Sequence, residues 1–384
     1  MKPLAALLLA ALLAGCASAP PTPPAPSDMF SDATFGKPGD HVGAADLFTM
    51  TPAMRAYLAS AAFHAEIRNK GAEQGLVDAL YQKGELKIEY DSAKTRNAAE
   101  TFEARAGNCL SLVIMTAAFA NELGLKVNFQ SVLVGDTWRR NGGLYLASNH
   151  VNLTLAARPS STISVGPERS LTVDFLPSET AAALDTRPLD QNAIAAMYMN
   201  NRAIEAMVQD QLDNAYWWAR AAVTQNPAFI SAYNTLAVVY QRHGDWQMAE
   251  RAYRTALQRE PENVVVMRNL APLLAQMGKT DESQQMLKRA ASIEPYPPFH
   301  FFNQGMSAMA RHDYKAAQAL FAREVRRAPY YDEFHFWLGV ASLRLGDTAR
   351  AREHIALAVE NSTTSDTRTL YSAKLEHLRA QLPH

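Results

Sequence analysis

Apolar and polar positions along this chain follow three rhythms. In the C-terminal half the rhythm has a period of 34 residues: Pro227, Pro261, Pro295 and Pro329 are evenly spaced, and so are Ala215, Ala249, Ser283, Ala317 and Ala351. A fixed period of this length is the signature of a helical repeat. Within "AYNTLAVVYQRHGDWQMAERAYRTALQREPEN", Tyr233, Leu236 and Tyr240 recur at i, i+3 and i+7 along a first helix. Gly244-Asp245 ends that helix, and Ala249, Tyr253 and Ala256 form the packing face of a second. Five such units fit between residues 194 and 364, and residues 365–384 carry a charged capping helix.

Residues 46–185 have another texture. Helical patterns come first, in "MRAYLASAAFHAEI", "GLVDALYQKGEL" and "TRNAAETFEARAGNCLSLVIMTAAFANELGL". After Gly124, a natural helix stop, come the alternating and β-branched runs "KVNFQSVLV", "GLYLASNHVNLTLAA" and "SLTVDFLP". This predicts an α+β domain in which a helix lies against an antiparallel sheet. The segment from residue 109 to 123 is apolar nearly all round, so that helix should be central and covered.

The third rhythm opens the chain. "MKPLAALLLAALLAGC" has one Lys, about a dozen apolar residues and then Leu13-Ala14-Gly15-Cys16, the arrangement of a secretory signal. Its end resembles the bacterial lipobox. That resemblance implies acylation at Cys16, a membrane attachment through the lipid and, with Ala17 rather than Asp next, an outer-membrane lipoprotein facing the periplasm. "APPTPPAPSD" follows, and residues 17–45 read as a Pro-rich tether, extended and semi-rigid.

Composition adds limits. With 384 residues, 48% hydrophobic and 20% charged, the chain is long enough for two globular domains, and a net charge of -1 argues against nucleic acid as a partner. The chain has two cysteines; acylation of Cys16 leaves Cys109 without an intramolecular disulfide partner. No HExxH or HxxxH spacing occurs, so no metal and no cofactor is expected.

Cys109 falls in the first turn of the apolar helix, where the macrodipole and N–H groups favour a thiolate and a developing oxyanion. Of the histidines, only His41, His64 and His150 precede the repeats, and His150 lies in a strand pattern, with Asp174 on the next strong one. Neighbouring strands can bring such a His and Asp together and so hold the imidazole in one tautomer. Asn108, just before the helix, is either an oxyanion donor or the helix cap. Each residue also has a structural reading: a buried thiol, a satisfied strand His, a strand-ending Asp.

Two family resemblances follow from these motifs. Residues 194–364 resemble tetratricopeptide repeats, with small residues Ala237, Ala271, Gly305 and Gly339 where that family lets paired helices approach. The resemblance implies a concave groove lined by the first helix of each unit, and a protein or peptide partner there. Asn234, Phe302, Phe336 and Trp337 are groove positions by register, although the rings could instead pack internally. Over residues 90 to 180, Cys109 in "GNCLSL", His150 in "NHVNL" and Asp174 in "VDF" resemble the transglutaminase-like (papain-like) superfamily. Leu110 and Val151 stand where many members carry an aromatic and a Trp. The resemblance implies a Cys109, His150, Asp174 triad attacking an amide carbonyl, with water or an amine as acceptor. The substrate could be a protein or a cell-wall stem peptide. A non-catalytic scaffold, with working repeats and a vestigial triad, is the alternative.

Overall fold

The computed structural model describes residues 23–39, 41–82, 86–141, 144–157, 170–175 and 185–380. Cys16 and the signal segment lie outside the described residues.

The N-terminal half opens with α1 (Pro52–Leu58), α2 (Ala61–Lys70) and α3 (Ala72–Val77), then β1 (Glu89–Tyr90) and α4 (Ala98–Ala104). Asn97 and Glu100 close a capping box at the start of α4, so this short helix begins at a defined residue. Its end turns through Arg105, in the left-handed region, into β2 (Ala106–Gly107), which pairs parallel with β1. Two residues later α5 (Cys109–Glu122) begins.

Helix α5 is the centre of the domain. Val113, Ile114, Met115 and Phe119 are fully buried, and burial of each such side chain contributes about 1.5–3 kcal/mol. The helix is therefore fixed by its surroundings more than by its own propensity.

Four strands form the antiparallel sheet: β3 (Lys126–Asn141), β4 (Leu144–Ala156), β5 (Ser170–Val173) and β6 (Thr186–Leu189), in the order β5-β4-β3-β6. The three apolar runs of the sequence are β3, β4 and β5; β6 joins the edge through a short polar stretch whose pattern did not announce a strand. In β4, alternation puts Val151, Leu153 and Leu155 on one face and His150, Asn152 and Thr154 on the other. Val132 pairs with His150, and the register then jumps so that Thr137 pairs with Ser148. His150 thus sits at the edge of a bulge, a position that re-aims side chains next to functional sites.

Ten helices follow in five antiparallel pairs: α6 (Gln191–Val208) with α7 (Leu212–Gln225), α8 (Ile230–His243) with α9 (Trp246–Arg259), α10 (Val264–Gln276) with α11 (Thr280–Ile293), α12 (His300–Ala310) with α13 (Tyr314–Arg327), and α14 (Asp332–Arg344) with α15 (Thr348–Glu360). Helix α16 (Ser365–Ala380) covers the last pair. The 34-residue rhythm therefore corresponds to one helix pair per period. Small residues do what their spacing demands: a Cβ on Gly305 would lie 2.6 Å from the ring of Phe321 on the paired helix.

The solenoid closes around the α+β domain. Helix α6 and the turn after α15 both reach residues 91–96: Thr95 N donates to Glu205 on α6 at 2.6 Å, and Ser92 N donates to the Thr363 carbonyl at 2.8 Å. Helix α10 approaches β4. One apolar core runs from the α+β domain through the first three repeats, while the last two pairs have their own cluster around Phe299, Phe321 and Phe334.

The tether reading needs correction. Residues 23–39 do not extend freely but lie along α7, α8 and α9. Phe35 stacks on Tyr216 with ring centroids 4.0 Å apart. Asp32 accepts from the Tyr216 hydroxyl at 2.6 Å and from Arg220 at 2.7 Å, while Asp28 pairs with Arg251. The prolines hid a docking motif of Met29, Asp32 and Phe35, whose apolar surface and charge complement a Tyr and Arg face on the repeats.

Candidate functional site

The sequence upstream of Cys109 builds the helix start. Gly107 is needed by close approach, since a Cβ there would lie 2.7 Å from the Cβ of Ser111. Asn108 is the N-cap of α5: its side-chain oxygen accepts from Ser111 N at 2.9 Å and from the Ser111 hydroxyl at 2.9 Å. Its amide nitrogen donates to Thr95 Oγ1 at 2.8 Å. With its oxygen bonded to Ser111 and one N–H given to Thr95, and with 8% of the residue exposed, Asn108 is the helix cap, the second of its two sequence readings.

Cys109 is the first residue of the helix and is half-buried. Its sulfur lies close enough to His150, which comes from β4, to raise the pKa of that ring. His150 Nε2 lies 2.6 Å from Asp174 Oδ1, just past the end of β5. That bond occupies Nε2 and leaves Nδ1 as the ring atom for the sulfur. The side chains of His150 and Asp174 are only 6% and 9% exposed. The three residues singled out by the sequence therefore meet, drawn from a helix start and two adjacent strands.

Electrostatics follow from this packing. Burial opposes a charged imidazole, but the hydrogen bond to Asp174 and the proximity of Cys109 outweigh it, and the pKa of His150 rises to about 9. The upward shift favours a charged ring between a carboxylate and a sulfur. A cation in that place, together with the helix N-terminus, favours the thiolate.

One residue of the candidate site escaped the sequence reading. Asn152, two positions after His150 on the same face of β4, donates to Asp174 Oδ2 at 2.8 Å. Asp174 thus has one oxygen held by the histidine and the other by an amide, which fixes the plane of the carboxylate. The signal was present as the second Asn of "NHVNL", because a period of two places it beside His150.

The residues assigned to the repeat groove are arranged differently. Phe302 is buried among Phe299, Phe321 and Phe334, so it belongs to the inter-helix core. Phe336 stacks on Tyr371 of α16 at 4.6 Å, and Trp337 packs towards Phe321. Asn234 is buried and accepts from Asn269 of the next repeat at 2.9 Å, beside a cavity of about 40 Å³. For the rings this is the internal packing that the register left open, with Phe302 buried and Phe336 and Trp337 half-buried. A separate cavity of about 450 Å³ opens between residues 39–47, α4 and the first repeat, lined by His41, Glu100, Tyr198, Arg202 and Trp218; none of the three site residues lines it.

Family models described as tetratricopeptide repeat match residues 240–298 and 302–366. No curated protein matches the chain. Among solved structures, YrrB, titled a TPR protein with an unusual peptide-binding site, is 19% identical, with 47% of this chain and 92% of that chain covered and a TM-score of 0.25. PilF of Pseudomonas aeruginosa is 18% identical over 50% of this chain and 96% of its own, with a TM-score of 0.28. A thermophilic TPR protein of Thermus thermophilus is 19% identical over 47% of this chain and 100% of its own, with a TM-score of 0.30. The C-terminal part of this chain is built of tetratricopeptide repeats, an architecture suited to protein–protein contact.

Proposed function

We propose that this protein is a transglutaminase-like cysteine hydrolase, a peptidase or amidase acting through Cys109, His150 and Asp174. The observation that carries this reading is the placement of His150, bonded to a fixed carboxylate at Nε2 and close enough to the Cys109 sulfur at a helix start to feel its charge. In this reading the Cys109 thiolate attacks an amide carbonyl carbon, forming a C–S bond and an oxyanion beside the N-terminus of α5. The His150 imidazolium gives its proton to the departing amine as the C–N bond breaks, leaving a thioester. Water, deprotonated by His150, then attacks the thioester; the C–S bond breaks, the acid leaves and the sulfur departs as thiolate beside the reprotonated imidazolium. An amine in place of water would make the enzyme a transamidase.

Asp174 orients the ring and stabilises its charge, and Asn152 holds Asp174. The Leu-Ala-Gly-Cys sequence supports attachment through a lipid on Cys16 and a periplasm-facing position at the outer membrane. The repeats supply the surface for a protein partner or substrate. Because α6, α10 and the turn after α15 reach the chain's own α+β domain, such a partner would meet repeats that already hold the catalytic unit.

An activated acyl ester, p-nitrophenyl acetate, tests the chemistry without knowledge of the substrate. The expected result is a burst of p-nitrophenol equal to the enzyme present, a mass increase of one acetyl group mapping to Cys109, and slow turnover. All three should vanish in Cys109→Ala. Acetylation spread over lysines, or undiminished in His150→Ala, would exclude the mechanism.

A further inference from the structure

The repeats stack on one another at every junction but one. Helix α7 packs on α8, α9 on α10 and α13 on α14, whereas α11 and α12, between the third and fourth pairs, do not pack in this way. The 34-residue period shows why. Tyr253, Phe321 and Ile355 hold one place in it, on second helices, and are fully buried; Leu287 holds that place on α11 and is 48% exposed. Leu236, Leu270 and Leu338 hold another place, on first helices, and are buried; α12 brings Gln304 there, and it is exposed. One side of the junction leaves its leucine uncovered and the other presents an amide. The apolar contact that closes the other junctions, worth about 25 cal/mol for each Å² buried, is therefore missing from both faces of this one.

The chain crosses this junction at residues 294–299, where Pro295, Pro297 and Pro298 stop a helix from running through. The crossing is braced by polar groups. Glu294 pairs with Arg268 on α10 and lies 3.8 Å from Arg327 on α13, and Arg327 also donates to the Tyr296 carbonyl at 2.9 Å. Partly exposed ion pairs are weaker and less dependent on shape than an interdigitated apolar face. At the far end of the last two pairs, the Ser92 N–H donates to the Thr363 carbonyl at 2.8 Å and the Ser92 hydroxyl to Thr363 Oγ1 at 3.0 Å. Ser92 follows Asp91, whose N–H donates to the Gly107 carbonyl at 2.9 Å, two residues before Cys109. Repeats four and five thus have a polar crossing at one end and a polar latch at the other, and the latch lies on the loop beside the nucleophile helix.

We propose that the solenoid is jointed between its third and fourth repeats, and that repeats four and five with α16 form a clasp that turns about residues 294–299 and closes on the α+β domain at Ser92. The arrangement described above is the closed one. Opening releases the loop that leads through β2 into α5. Joint and latch do not depend on the catalytic reading of Cys109; with that reading, the clasp becomes a control on the loop that borders the nucleophile.

Distances between pairs of spin labels in the full-length protein test this, with Cys16 and Cys109 replaced by Ser so that the reactivity of the native thiol plays no part. One pair, at Glu103→Cys on α4 and Glu376→Cys on α16, spans the latch; the other, at Glu103→Cys and Gln258→Cys on α9, stays within the part that shares one apolar core, and all three positions are exposed. The first pair should show a major short distance and a minor long one. Ser92→Ala removes one hydrogen bond of the latch and should raise the ratio of long to short about two- to tenfold. Thr363→Trp, too large for the contact, should make the long distance dominant, and Ser92→Ala reads the same link if Thr363→Trp fails to fold. The second pair should keep one distance throughout. A first pair whose distances are the same in the parent and in either folded variant overturns the latch, and movement of both pairs together overturns the joint at residues 294–299.

Discussion

Buried polar groups serve different ends in the two halves of this molecule. In the repeats, Asn234 and Asn269 lie on successive first helices and hydrogen-bond each other, a contact between neighbours that closes on itself. In the α+β domain, His150, Asn152 and Asp174 converge from two strands on a half-buried sulfur at a helix start. The first arrangement satisfies polar groups inside a packed stack. The second leaves a sulfur, a cation and a carboxylate in line, which costs desolvation and is rarely kept for packing alone.

The cores divide along another line, and that division can be tested. Phe119 belongs to the apolar cluster shared by the α+β domain and the first three repeats, whereas Phe302 belongs to the separate cluster of the last two pairs. Phe119→Ala and Phe302→Ala should each cost about 3–5 kcal/mol in their own cluster. Hydrogen exchange should show Phe119→Ala loosening α5 together with α8, while Phe302→Ala loosens α12 to α14 and leaves α5 protected. Equal loosening of both regions by either substitution would mean that the two clusters unfold as one.

A smaller effect separates the halves by pH. The His150 pKa of about 9 lies above the value of an unstructured histidine, so its interactions stabilise the fold fully below about pH 6.5 and fade as pH rises through about 9. The stability difference between the parent and His150→Gln, up to about 3 kcal/mol at low pH, should shrink above pH 9. Thermal melts of the two proteins between pH 6 and 10 measure this; a constant difference would contradict the charged pairing with Asp174.

How much of this was legible in the sequence depends on the distance over which each feature is encoded. A repeat states its packing within one period, so the pairs, their number and the close approach at Gly305 could be read directly. The helix at Cys109, the strand carrying His150 and the strand that ends just before Asp174 were also legible, because each is a local apolar pattern. What stayed hidden is what depends on distant partners. Thr95 meets Glu205 across 110 positions and Ser92 meets Thr363 across 271, and no local pattern encodes either. The docked segment around Asp32 and Phe35 was obscured in the same way, since proline-rich composition says nothing of a Tyr and Arg face nearly 200 residues away. The aromatic first-helix residues were assigned to the groove by register, but register alone does not say whether a ring faces the groove or the next helix.

The central claim is that Cys109 is an activated nucleophile, and the most direct test is its alkylation by iodoacetamide across pH in the parent and in His150→Ala. The account predicts a native thiolate that titrates well below the roughly 8.5 of a free cysteine, and that moves towards this value when the imidazolium is removed. A thiol that reacts only after unfolding, or that titrates identically in both proteins, would contradict it and leave α5 as a core helix with a sulfur at its end.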